Sequence, residues 1–270
     1  MRLFDTHCHL DFDIFDRNLE SLISECRLLG VDTFLIPGTR VSAISKILTI
    51  QAQYRGVYVA FGIHPFFIDE NSIDNLAVLD AELSTHHGAE GLVALGEIGL
   101  DKFSHVDYVL QKEVFEAQLR LADVYDLPVV LHNRKSDQVM LDLLDRYSIR
   151  AGVVHAFSGS VEIAREFISR GLKLGIGGVI TWSSAHKVRS MVEQLPMEAI
   201  VLETDSPDMS PQWLKGEANT PKSVPRIAEN LAQLKGISVS DVAEITYSNA
   251  CELFGICDAQ SSEKLGSDWL

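Results

Sequence analysis

Short apolar runs alternate with longer amphipathic ones along nearly the whole chain. The strand-like runs cover 3–7, 31–37, 57–63, 92–98, 128–132, 152–156, 172–177 and 200–205. Several are almost continuously apolar, as in Val57-Tyr58-Val59-Ala60-Phe61, the pattern of strands buried on both faces of a parallel sheet. Between them, 18–29, 41–54, 73–83, 111–125, 138–147, 161–169, 185–194 and 224–234 follow a helical period. In the first of these, Leu19, Leu22, Ile23, Cys26 and Leu29 form one stripe. Gly30 and Gly171 stand just past predicted helix ends, where a left-handed cap favours glycine. A further helix is predicted over 241–254.

Eight strand–helix units predict an α/β fold with a parallel sheet, closed as a (β/α)8 TIM barrel. A doubly wound open sheet fits the alternation too, but no G-x-G-x-x-G follows the first strand to favour dinucleotide binding. No linker, low-complexity segment or shift in composition marks a second domain. The chain therefore predicts one domain over 1–257 and a polar C-terminal tail over 258–270.

Composition narrows the function classes. With 46% apolar residues in 270, the chain can bury a core, and disorder is excluded as a whole-chain reading. Its 38 acidic against 23 basic residues give a net charge of −15. That sign disfavours a broad basic groove for duplex DNA and docking on an anionic membrane. A nucleic-acid substrate would need local positive charge, and a metal site is the obvious source. No apolar run of membrane-spanning length and no secretory leader pattern occurs. Cys8, Cys26, Cys251 and Cys257 form no C-x-x-C pair and predict reduced thiols, and a cytoplasmic location is expected.

The chemistry gathers at predicted strand ends. His7 and His9 close the first strand, two apart, so both imidazoles can face one metal while Cys8 faces away. His64 closes the third strand, Glu97 the fourth, His132 the fifth, His155 the sixth and Asp205 the eighth. Three positions at each of eight strand ends make about 24 sites in 270, so about one of nine histidines is expected there by chance. Five are found. In a barrel these ends ring one mouth, where active sites lie. Imidazoles and carboxylates without cysteine suit Zn, Mn, Ni or Fe, and Mg through the carboxylates. Six ligands exceed what one catalytic ion with an open position needs, whereas two ions sharing a carboxylate would use them all.

The segments Asp5-Thr6-His7-Cys8-His9-Leu10-Asp11, Gly62-Ile63-His64-Pro65, Gly96-Glu97-Ile98-Gly99-Leu100-Asp101, Leu131-His132-Asn133-Arg134, His155-Ala156-Phe157-Ser158-Gly159 and Leu202-Glu203-Thr204-Asp205-Ser206-Pro207 resemble, in order and spacing, the TatD family of metal-dependent hydrolases, most closely its YjjV-like branch. The resemblance runs from Asp5 to about Phe254. It implies a barrel of the amidohydrolase type and two divalent cations per chain, Mg, Mn or Zn. It also implies hydrolysis of an ester bond, since characterised members include Mg²⁺-dependent deoxyribonucleases that trim 3′ ends of single-stranded DNA. The family pattern would put His7, His9, Glu97 and Asp205 on one ion and Glu97, His132 and His155 on the other, with Glu97 bridging. His64 and Arg134 would face the substrate phosphate, and Asp5 and Glu203 would orient the ligands. Asp205 and Glu97 would be the catalytic pair, Asp205 orienting the attacking water or taking its proton. The expected partner is single-stranded DNA or another phosphodiester, with no membrane and no obligate protein partner.

The chain departs from the family pattern at Lys102, Lys135, Asp208 and Thr220, none a ligand position and three of them on mouth loops, which bears on substrate choice. The alternatives are a hydrolase of a small ester, amide or lactone, and a non-catalytic metal-binding scaffold. His86, His87, His105 and His186 read as solvated. Gly175, Gly177 and Gly178 could admit a phosphate or merely relieve crowding. Trp182 and Trp213 could stack on a base or pack the mouth loops, packing being favoured, and Phe66 and Phe67 carry the same ambiguity.

Overall fold

Eight parallel strands in the computed structural model, β1 (Leu3–Asp5), β2 (Val31–Pro37), β3 (Val57–Phe61), β4 (Leu92–Asp101), β5 (Val129–Arg134), β6 (Gly152–Val154), β7 (Leu172–Ile176) and β8 (Ile200–Leu202), pair in sequence order. The structure describes residues 1–69, 71–149 and 151–256; the predicted tail and Cys257 lie outside them. The first and last strands approach each other, with Thr6 N–H donating to Leu202 O at 3.0 Å and Asp205 N–H to His7 O at 2.8 Å. These bonds bring the sheet round into the (β/α)8 barrel that the alternation predicts.

Nine helices are described: α1 (Leu19–Leu28), α2 (Ile44–Gln53), α3 (Ser72–His86), α4 (Tyr108–Val124), α5 (Asp137–Leu144), α6 (Val161–Ser169), α7 (His186–Gln194), α8 (Val224–Lys235) and α9 (Val239–Phe254). The first eight each fill the gap after one strand. The ninth begins with a Ser238–Asp241 capping box. Its Tyr247, Ala250, Leu253 and Phe254 pack with Phe4, Leu35, Ala60, Ala94, Val130, Val153 and Val201, one residue from nearly every strand. That cluster is the apolar floor of the barrel.

The period of two along each strand carries this floor up to the mouth. Two residues beyond Val130 is His132; two beyond Val153 is His155; two and four beyond Val201 are Glu203 and Asp205; four beyond Ala60 is His64. β4 breaks the period with a bulge between Gly96 and Ile98, where Glu97 has no partner on β5. Gly99, paired with His132, makes the bulge possible: its φ is +150°, and a Cβ there would overlap the His132 carbonyl oxygen. Gly99→Ala should therefore cost at least ~2 kcal/mol, read as a lower urea midpoint at unchanged slope.

Several strands end earlier than the sequence predicts. His7, His64 and Asp205 lie two or three residues past β1, β3 and β8. Their backbones have left the ladders for cross-links such as Cys8 N–H to Leu35 O at 3.1 Å and His64 N–H to Thr39 O at 3.0 Å. Cys8 and Cys26 are buried thiols, and Cys251 is half-buried. No described helix is long and apolar enough to cross a membrane.

Candidate metal centre

Glu97 is the hub of the mouth. It is 2% exposed, and its two carboxylate oxygens face different histidines. Oε2 lies 3.2 Å from His7 Nε2 and 3.6 Å from His9 Nε2, and both imidazoles lie within 3.6 Å of Asp205 Oδ1. Oε1 lies 2.7 Å from His155 Nε2, 2.9 Å from His132 Nδ1 and 3.2 Å from His64 Nε2. Of the ten residues expected from the sequence, seven thus meet at one point: His7, His9, His64, Glu97, His132, His155 and Asp205.

Three overlapping groups have donor atoms within 4.8 Å of one another: His7, His9 and Asp205; His7, Glu97 and His155; His64, Glu97 and His132. The donor set fits divalent cations. His7 is fully buried, its ring stacks on His155 at 3.9 Å, and neither of its nitrogens makes a hydrogen bond. A buried polar atom without a partner costs free energy, and a cation would satisfy this one. The neighbouring charges point the same way. Burial alone would raise the Glu97 carboxyl, but His64, His155, His7 and His132 outweigh it and hold it well below the ordinary value. Burial is likewise outweighed at Asp205, by the hydrogen bond from His9 and the charges of His155 and His7, so this carboxylate too is ionised.

The supporting residues set ring orientation. His132 Nε2 donates to Asp101 Oδ2 at 3.1 Å, which fixes the tautomer and leaves the Nδ1 lone pair facing Glu97 and His155. Asp101 is 1% exposed and anchored by Phe103 N–H at 2.7 Å. It has no role in the sequence expectation, although it closes the Gly96–Asp101 motif. The available signal was its position, four residues after Glu97 on the same strand. Asp101→Asn should weaken cation affinity or turnover about 10–100-fold, measured by competition with a chromogenic chelator and by initial rates.

His64 differs from the other histidines. Its Nδ1 accepts from Phe66 N–H at 3.1 Å, so in the neutral ring the proton sits on Nε2. Burial lowers its pKa and keeps it neutral. A protonated Nε2 is a hydrogen-bond donor and not a cation ligand.

Asp5 and Glu203 do not face the centre. Asp5 accepts from Thr204 N–H at 2.9 Å, Thr204 Oγ1 at 2.6 Å and His7 N–H at 3.3 Å, tying the ends of β1 and β8 together. Burial pushes its carboxyl up to about 7 against these bonds. Glu203 accepts from Ala156 N–H at 2.6 Å, and burial pushes it up to about 8. Arg134 stays on the rim, half-exposed, 4.5 Å above the Phe103 ring and 3.9 Å from Asp101 Oδ2.

The remaining sequence expectations divide. Gly175 and Gly178 relieve crowding; a Cβ on them would strike the Glu203 carboxylate and the Met209 carbonyl. Trp182 Nε1 donates to Ser210 O at 3.1 Å and Trp213 lies under Arg226 at 3.9 Å, so both pack mouth loops. Phe66 and Phe67 line the cavity over the centre, about 440 Å³, together with Asp208. His105 is exposed, as the sequence suggests, and lines the cavity too.

Residues 4–255 match the family described as TatD related DNase. The chain belongs to the TatD family. Among TatD relatives it is 35% identical to the metal-dependent hydrolase YjjV of Escherichia coli K12, covering 94% of this chain and 98% of that one. The crystal structure of YjjV superposes with a TM-score of 0.91 at 34% identity, over 95% of this chain and 99% of the other. The chain is also 33% identical to the human deoxyribonuclease TATDN3, over 93% and 94% of the two chains. This TatD protein is thus a metal-dependent hydrolase by family, and the buried histidine–carboxylate groups are its candidate metal sites.

Proposed function

We propose that the protein is a two-cation phosphodiesterase that removes nucleotides from the 3′ end of single-stranded DNA. One observation carries this reading: the two oxygens of Glu97 face separate ligand sets, so one carboxylate can serve two cations. His7, His9 and Asp205 would complete one set with Glu97, and His132 and His155 the other. Bound there, two divalent cations would supply a water of lowered pKa and positive charge against the phosphoryl oxygens. The deoxyribonuclease TATDN3 supports DNA as the substrate.

The chain's own groups do the rest. Asp205, ionised and within 3.6 Å of both His7 and His9, orients the attacking water and accepts its proton. His64, neutral with its Nε2–H on Glu97 Oε1 at 3.2 Å, lines the cavity beside the centre and would turn that donor to a phosphoryl oxygen once a cation holds Glu97. Arg134 offers a planar two-pronged donor to phosphate from the rim. Asp5 holds His7 and Thr204 in register, and Glu203 holds the backbone after His155. Cations held at the mouth would answer the repulsion that a net charge of −15 sets against a polyanion. A cytoplasmic setting with reduced thiols accords with this chemistry.

The test is digestion of 3′-labelled single-stranded DNA by metal-stripped protein with Mg²⁺, Mn²⁺ or Zn²⁺ restored, beside an ester, amide and lactone panel. Metal-dependent trimming of the labelled end is the expected result. Turnover of the panel without trimming would move the substrate to a small molecule, and cation binding without any turnover would leave a scaffold.

A further inference from the structure

The cavity over the metal centre does not end at its own wall. Phe12 and Phe67 line it on one side and on the other side line a second cavity of about 580 Å³. The second cavity opens between the loop after β1 and the loop after β2, with Arg40, Lys46 and Ile14 around it. The first, about 440 Å³, suits a single small ligand unit. A monomeric ester would fill it and leave the second vacant. A substrate that continues past its reacting bond would enter both.

The chemistry of the second cavity is that of a nucleotide. Arg40 is exposed and its guanidinium lies 4.2 Å over the Phe67 ring. Among the described residues it has no ion-pair or side-chain hydrogen-bonding partner. Lys46, by contrast, is engaged with Asp13 at 3.2 Å and Asp16 at 2.7 Å. The remaining acid of the wall, Asp11, is only 6% exposed. An unpaired planar guanidinium is a bidentate phosphate donor, and an aromatic wall is a stacking surface for any base.

Resting on the phosphodiesterase reading, we propose that this second cavity binds the next nucleotide of a single strand, its base against Phe12 and its own 5′-phosphate on Arg40, which Phe67 holds in place. The metal-centre cavity then holds the terminal nucleotide and the bond to be cut. The site makes Arg40 a determinant of preference for a chain over a single ester.

The test pairs a substrate phosphate with Arg40. Metal-loaded wild-type protein, R40A and R40K are assayed on thymidine dinucleotides with and without a 5′-phosphate, with bis(p-nitrophenyl) phosphate as a diester confined to the first cavity. The wild type should show a KM about tenfold lower for the 5′-phosphorylated dinucleotide, the size of one charge-assisted contact. That difference should vanish in R40A and survive in part in R40K. Equal KM values in the wild type, or a tenfold difference that persists in R40A, would overturn the subsite and leave the phosphodiesterase reading standing. Hydrolysis of bis(p-nitrophenyl) phosphate with neither dinucleotide cut would overturn the nucleic-acid reading and the subsite with it.

Discussion

Replacing Glu97 by alanine is expected to reduce turnover by ~10³-fold or more and to lower the bound cations per chain from two to one or fewer. The size follows from position. Glu97 is buried and charged, and each of its oxygens opposes imidazoles that otherwise face one another. Without it, His132 Nδ1 and His155 Nε2, 3.1 Å apart, lose the carboxylate that draws them together, and so does His7. Elemental analysis after dialysis gives the count, and initial rates on a diester give the turnover. Glu97→Gln separates charge from shape: it keeps an oxygen for one side and should retain more cation than alanine while remaining as slow. Full activity with two cations in Glu97→Ala would remove the bridge.

The second large effect is expected at Asp205, and its pattern is different. Asp205→Asn should keep much of the bound cation, because His7, His9 and Glu97 remain, yet lose about 10²- to 10⁴-fold in kcat, the range for removing a positioned proton acceptor. Asparagine keeps the shape of the side chain, so the fold and the positions of the His7 and His9 rings should survive. The diagnostic comparison is cation content against rate. Glu97→Ala loses both, and Asp205→Asn loses rate out of proportion to cation. Full turnover in a cation-loaded Asp205→Asn protein would remove the proton-accepting role.

Most of this fold was legible from hydrophobic periodicity. Buried parallel strands such as β3 are nearly continuous apolar runs, and amphipathic helices such as α6 match their predicted bounds, so the barrel follows from local patterns. The ends were less legible. At β1, β3 and β8 the predicted strand continues past the last ladder bond, because mouth residues such as His7 and Thr204 are buried by their neighbours around the barrel and not by strand pairing. The bulge at Glu97 also left no periodic trace; only its flanking glycines hint at it.

The centre was legible because histidine is rare enough for five at strand ends to stand out. Asp101 was not, since an acidic residue near a strand end resembles many solvated ones. Its role depends on the His132 ring turning Nε2 toward it, a matter of rotamer and not of sequence. His105 is exposed as predicted, but its place at the cavity was not legible: it comes from the loop after β4, whose course no local pattern encodes. The tautomer of His64, set by the backbone N–H of Phe66, was equally hidden.

The proposed function needs one carboxylate, Glu97, to join two cations at the mouth of this barrel. It is tested most directly by titrating metal-stripped protein with Mn²⁺ and following the electron paramagnetic resonance signal. Two Mn²⁺ per chain with an exchange-coupled signal, replaced by an isolated signal in Glu97→Ala, is the predicted result. A single isolated Mn²⁺ at saturation, or a coupled pair that persists without Glu97, would contradict it.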